Sequence, residues 1–240
     1  MNWICAVRLL GFTTVALLLV AAVWFGLYAF GLTAPAEPAY NASLPRADYL
    51  RAFFTYKGLI GWQEIGFTLV AELAFLLIAP IGALLQGIIS CHTAEGIIAS
   101  NLFGIAACLL VAGQLVQIGT QWAVLSFSKR EFSKVETLGF IWDTGLVVSN
   151  WLENGRYFSL ALGVIGWAMV GRGLEPQPRV WIFLSGFLSI ALLIIVIVAQ
   201  ALEIWTIYDI ALPLSGAVLA PTWLLLTARV CESVGSKFNL

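Results

Sequence analysis

Long apolar runs separated by short polar stretches dominate the chain. Residues 9–32 form an uncharged run that exceeds the ~20 residues needed to cross ~30 Å of hydrocarbon as a helix. Similar runs recur along the chain and end at charged residues, proline or glycine. The pattern predicts transmembrane helices at about 9–32, 59–89, 97–126, 157–171, 180–203 and 208–229.

Residues 33–57, between the first two predicted helices, form the longest polar stretch. Three prolines and five charged residues in this stretch favour a loop over a helix. Asn41 begins an Asn-Ala-Ser sequon, and its glycosylation depends on a secretory setting that the sequence leaves open. The first apolar run is longer than the roughly 7–15 residues of a signal-peptide core, which favours a retained anchor.

Residues 138–153 show an amphipathic pattern. Glu136, Asp143 and Asn150 recur every seven residues, opposite an apolar face. This pattern predicts an interfacial or partly inserted helix, followed by a turn at Glu-Asn-Gly-Arg, residues 153–156. The predicted fold is therefore an all-α integral membrane protein with one polytopic domain over residues 1–240. About six transmembrane helices are expected, and five to seven are compatible with the pattern.

Composition agrees with a membrane location and excludes several classes of protein. The chain is 61% hydrophobic and 10% charged, whereas soluble domains have about 45–50% apolar and about 25% charged residues. A net charge of −1 provides no basic patch for nucleic acid. Four cysteines lie singly and His92 is the only histidine, so we expect neither a metal site nor a cofactor.

Three glutamines lie within the third predicted helix. Gln114, Gln117 and Gln121 are three, four and seven residues apart, which places their side chains on one helix face. An unpaired amide in lipid costs several kcal/mol, so we expect this glutamine stripe to face protein or a wet cavity. Polar packing between helices and a solute or ion path are both compatible with the stripe.

Glu72 is the acidic residue most deeply embedded in an apolar run, between Ala71 and Leu73. A carboxylate is costly to keep ionised there, so a neutral or paired state is expected and the residue is a functional candidate. Weaker candidates for a polar site, which interfacial or helix-end positions would also explain, are Glu64, Asp143, Glu203 and Asp209.

The sequence lacks the common catalytic motifs, and this absence bears on the function hypotheses. The sequence contains no GxSxG elbow, HExxH zinc motif, P-loop or dinucleotide fingerprint. The leading hypothesis is a non-enzymatic, multi-pass membrane protein that acts as an accessory subunit, scaffold or sensor, with the lipid bilayer and other membrane subunits as partners. One alternative is a small transporter or channel whose path is lined by Glu72 and the glutamine stripe. A third is a membrane enzyme acting on a lipid beside Glu72 or Asp143. Which membrane, which orientation and which oligomeric state apply stay open.

Overall fold

The protein, here a computed structural model, is helical over nearly all of the residues that the structure describes. No strand occurs within these residues, so the all-α prediction is confirmed for them. The predicted polar residues Glu64, Glu72, Glu203 and Asp209, and the sequon at Asn41, lie outside them. The described residues are 8–13, 15, 16, 19, 38, 39, 45–59, 76, 78–90, 93–128, 134–201 and 214–238.

We number the helices of the described segments in chain order, after a short helical segment at 8–13. Helix α1 covers residues 46–59, and α2 covers Ile78–Leu85 with a π-helical continuation at Gln86–Ser90. The two longest helices are α3, Ala94–Ser128, and α4, Val135–Arg172. Helix α5 covers Arg179–Ile194 and continues as a π-helix at Ile195–Ala201. Helix α6 begins with a π-helical segment at Leu214–Leu219 and continues as an α-helix at Ala220–Phe238.

Three helices of the described residues are long and apolar enough to cross a membrane. They cover Ala94–Ser126, Arg179–Val198 and Leu214–Gly235, in α3, α5 and α6. Helix α4 is 38 residues long but is not among them, because its polar residues lower its mean hydropathy. The predicted count of six spans is therefore not supported, and the predicted helices at about 9–32 and 59–89 extend over residues outside the described ranges.

Helix α1 corrects the predicted polar loop, because its residues 46–59 lie almost entirely within 33–57. Leu50, Phe53 and Phe54 recur at helical spacing and are buried. Burying each of these side chains contributes ~1.5–3 kcal/mol, which helps to hold a helix in a segment rich in charge. The charged residues lie on the exposed side, where Arg51 donates to Asp48 at 2.9 Å.

Helix α4 corrects the predicted turn at residues 153–156, because it runs unbroken from Val135 to Arg172. The predicted amphipathic helix at 138–153 and the predicted span at 157–171 are two halves of this one helix. Gly155 packs rather than turns, since a Cβ there would lie 3.0 Å from a methyl of Leu109. At about 1.5 Å per residue, α4 is ~57 Å long.

Two apolar cores lie at opposite ends of the antiparallel hairpin that α3 and α4 form. The larger core joins the α3 start and the α4 end to α2, α5 and α6, with Phe103, Trp167 and Trp181 among its most buried side chains. The smaller core packs α1 on the other end of the hairpin, against Val124 and Leu138. The middle of the hairpin lies between these two cores.

Helices α5 and α6 are held together by a buried hydrogen-bonded pair of tryptophans. The Trp181 and Trp223 rings stack at 6.1 Å, and each indole N–H donates to a hydroxyl of the other helix at 2.8 Å. The acceptors are Thr227 Oγ1 for Trp181 and Ser185 Oγ for Trp223. The end of α6 at Phe238 lies beyond Arg229, where the sequence predicted the last helix to end.

Replacing Thr227 with valine is expected to destabilise the protein by about 1–3 kcal/mol, because Trp181 Nε1 loses its acceptor inside the core. The measurement is the free energy of unfolding in detergent, followed by circular dichroism. Thr222→Val is the matched control, since the exposed Thr222 hydroxyl donates only to the Val218 carbonyl of its own helix. Equal losses for both variants would contradict a specific role for the Trp181–Thr227 bond.

Candidate functional site

The candidate site lies in the middle of the hairpin, where α3 and α4 approach closely. A Cβ on Gly145 would overlap the side chain of Thr120, and one on Gly113 would lie 3.5 Å from Leu152 Cβ. Small residues permit such close contact between helix backbones. Ser149 crosses this contact, because its Oγ donates to the Gly113 carbonyl at 3.3 Å.

The glutamine stripe lies along one edge of this contact. Gln121 is 9% exposed, and Gln114 and Gln117 are half-buried, with Gln114 Oε1 inaccessible to solvent. Gln121 follows Phe103 by five helical turns and therefore lies on the same side of α3. On that side Phe103 packs against both Gly82 of α2 and Gly163 of α4, so the stripe lies on the side of α3 that faces these two helices.

A charged cluster lies on α4 near the Gln114 end of the stripe. Arg156 Nη2 donates to Glu153 Oε1 at 2.8 Å, and the Tyr157 hydroxyl donates to the same oxygen at 3.0 Å. The Arg156 guanidinium also lies over the Tyr157 ring, 4.5 Å from its centroid. The Arg156 side chain is only 8% exposed and that of Glu153 is 31% exposed. A buried arginine is therefore held by a carboxylate and an aromatic ring of its own helix.

The contacts of the hairpin bring this cluster to the level of Gln114, at one end of the stripe. Leu109 lies against Gly155, and Gly113 lies against Leu152. Glu153 and Gln114 are therefore within about one helical turn of each other along the hairpin axis. Asn154 Oδ1 is buried there, and no donor in the described segments reaches it. These side chains extend ~16 Å along the hairpin, from Arg156 to Gln121 beside the contact of Thr120 with Gly145. We call this group the polar layer: Gln114, Gln117, Gln121, Ser149, Glu153, Asn154 and Arg156.

Asp143 does not belong to the polar layer. It lies on the exposed side of α4 and accepts from Arg46 Nη2 at 2.5 Å, with side-chain exposures of 55% for Asp143 and 61% for Arg46. This ion pair joins the start of α1 to α4. Asp143 therefore has a structural partner on the surface, and no observation connects it to a lipid reaction.

The polar layer provides amides, a hydroxyl, one carboxylate and one guanidinium. Within the described segments there is no group of three His, Cys, Asp or Glu side chains that could hold a metal ion. The chemistry available here is hydrogen bonding between the two helices, as from Ser149 to the Gly113 carbonyl, and charge pairing within α4.

Comparisons with known protein families, curated proteins and solved structures give no match for this chain.

The sequence predicts a local ion pair between Glu153 and Arg156 at a reentrant corner of the chain. The ion pair is confirmed, and the corner is wrong because α4 continues through it. Glu153, Arg156 and Tyr157 have i, i+3 and i, i+4 spacing, which predicts contact on a helix. Asn154 and Gly155 between them are typical turn residues, and that local preference favoured a helix end. The burial of Arg156 depends on α3 and could not be inferred from this spacing.

Proposed function

We propose that the protein is an integral, multi-pass membrane protein that works as a non-enzymatic accessory subunit, with α4 contacting a helix of another membrane protein. The three long apolar helices and the exposed apolar side chains around them support the membrane location. The absence of catalytic motifs from the sequence supports a non-enzymatic role.

One observation carries the proposed role, a stripe of exposed apolar side chains along α4. Its members recur at intervals of seven and four residues, as expected for one face of a helix that packs on a partner. Between its first and last members the stripe is ~44 Å long, more than the ~30 Å of hydrocarbon. This α4 stripe consists of Phe140, Val147, Trp151, Phe158, Ile165 and Met169.

Trp151 favours a protein partner over lipid. It is 73% exposed and lies in the middle of α4, close in sequence to Glu153. Tryptophan in membrane proteins is enriched at headgroup level, and exposed aromatic side chains are enriched at protein interfaces. A contact with another helix explains a central tryptophan beside a charged cluster better than lipid tails do.

A photoreactive phenylalanine analogue placed at Trp151 or Phe158 is expected to give one stoichiometric cross-linked product with a different protein in native membranes. Leu225 of α6 is 51% exposed, close to the 49% of Phe158, and the same group placed there is expected to give no such product. The measurement is the yield and mass of the products, with the partner identified by peptide sequencing.

Two outcomes would contradict the accessory role. A product of twice the mass of the chain would make the α4 stripe a contact between copies of this protein. Solute flux by the purified chain in liposomes that is lost in Gln117→Leu would instead support the transport hypothesis. Among the alternatives, that hypothesis is favoured by the buried Arg156 and its partner Glu153, which lie near the glutamine stripe.

A further inference from the structure

A groove begins at the turn between α4 and α5 and follows the outer side of α5. Its volume is about 650 Å³, and its walls are polar at one end and apolar along the rest. The lining residues are Arg172, Gln177, Arg179, Ile182, Phe183, Gly186, Phe187 and Ile190.

The polar end of the groove carries two positive charges. Arg172 is in the last turn of α4 and Arg179 is the first residue of α5, and both are exposed. The turn between them is held by Gln177, whose Nε2 donates to the Arg172 carbonyl at 2.9 Å. Neither guanidinium forms an ion pair with a carboxylate of the described segments. Arginine binds phosphate with two parallel hydrogen bonds, so this end is complementary to an anionic phosphate group.

The rest of the groove is complementary to a hydrocarbon chain. Phe183, Phe187 and Ile190 lie one above the other on α5 and are 69%, 51% and 57% exposed. From Arg179 to Ile190 the groove covers ~17 Å, about half of the ~30 Å hydrocarbon thickness and so the depth of one leaflet. At Gly186 a Cβ would meet nothing within 4 Å, so the floor of the groove is open there.

We propose that this groove binds one anionic phospholipid, with its phosphate on Arg172 and Arg179 and one acyl chain along Phe183, Phe187 and Ile190. The proposal rests on the proposed membrane location and not on the accessory role. A soluble phosphate would use only the arginines, whereas a lipid uses both ends of the groove, and the exposed phenylalanines therefore favour the lipid.

Native mass spectrometry of the detergent-solubilised protein, titrated with phosphatidylglycerol or with phosphatidylcholine of the same chains, tests the proposal. We expect one phosphatidylglycerol to be retained, and the Arg172→Gln/Arg179→Gln double variant to weaken its binding by about tenfold or more, because charge-assisted hydrogen bonds are lost. Gly186→Leu is expected to weaken it similarly without changing charge, because the side chain fills the groove.

Two control variants separate this site from general effects. Arg51→Gln removes a positive charge from α1, outside the groove, and Gly119→Leu adds a side chain to α3 at a position where a Cβ meets nothing within 4 Å. Both are expected to retain the lipid as the unmodified protein does, and thermal unfolding shows that each variant is folded. Equal retention of phosphatidylcholine, displacement by millimolar inorganic phosphate, or unchanged binding in Gly186→Leu would overturn the proposal. Failure of the α4 cross-linking experiment leaves these outcomes unaffected.

Discussion

Replacing Gly145 with alanine is expected to destabilise the hairpin of α3 and α4 by about 1–3 kcal/mol, the usual cost of inserting a methyl group into a filled contact. The new Cβ would lie 2.8 Å from Thr120 Cβ, an atom that no rotation of the threonine side chain can move away. The two backbones must therefore separate at the level of the polar layer. The measurement is the free energy of unfolding in detergent, followed by circular dichroism.

Gly119→Ala is the matched control for this prediction. Gly119 is an exposed residue of α3, and a Cβ there meets nothing within 4 Å. Alanine is the better helix former by roughly 0.5–1 kcal/mol, so this variant is expected to be unchanged or more stable. If Gly145→Ala is as stable as Gly119→Ala, the close approach of the two helices is not a source of stability.

The pair of Arg156 and Glu153 is expected to couple strongly in a double-mutant cycle made from Arg156→Met, Glu153→Gln and the double variant. We expect Arg156→Met to cost about 1–3 kcal/mol, below the ~3–5 kcal/mol of a fully buried pair, because the Glu153 side chain is 31% exposed. Methionine retains much of the apolar part of the arginine side chain, so the coupling energy reflects the charge of Arg156 and its hydrogen bond to Glu153. The measurement is again the free energy of unfolding, from which the coupling energy is calculated.

The chain contains a matched exposed pair for comparison. Arg51 and Asp48 have the same i, i+3 spacing and a similar length of 2.9 Å, and their side chains are 53% and 54% exposed. Exposed pairs of this kind contribute ~0.2–1 kcal/mol. Coupling energies that are equal for the two pairs would show that the burial of Arg156 does not strengthen its interaction with Glu153.

In two segments the local sequence pattern led to a wrong prediction of secondary structure. Residues 33–57 were predicted as a loop from three prolines and five charged residues, although Leu50, Phe53 and Phe54 within them have helical spacing. Residues 153–156 were predicted as a turn because of asparagine and glycine, and the ion pair of Glu153 and Arg156 was placed at that turn. In both segments the helix is stabilised by contacts with α3 or α4, and tertiary contacts override weak local preferences.

The sequence predicts more about the position of the glutamine stripe than about the surroundings of the charged cluster. Helical periodicity alone places Gln114, Gln117 and Gln121 on one face, because the geometry of an α-helix is the same in any surroundings. Which neighbour covers that face is a property of packing. Gly113 and Gly145 carried no signal in the sequence, and Gly155 was interpreted as a turn residue. All three lie where α3 and α4 approach closely, and Arg156 is buried beside this contact.

The sequence by itself determined that the chain is helical, that its apolar runs suit a bilayer, and that three glutamines share one helix face. These properties follow from composition and from the 3.6-residue period, which act locally. Only the tertiary structure decided that residues 135–172 form one helix, that Arg156 is buried beside Glu153, and that Arg172 and Arg179 flank one groove. The first two depend on contacts of α4 with α3, which is distant in sequence, and there packing outweighs the preference of any short segment. The third depends on the turn between α4 and α5, which Gln177 holds by its hydrogen bond to the Arg172 carbonyl.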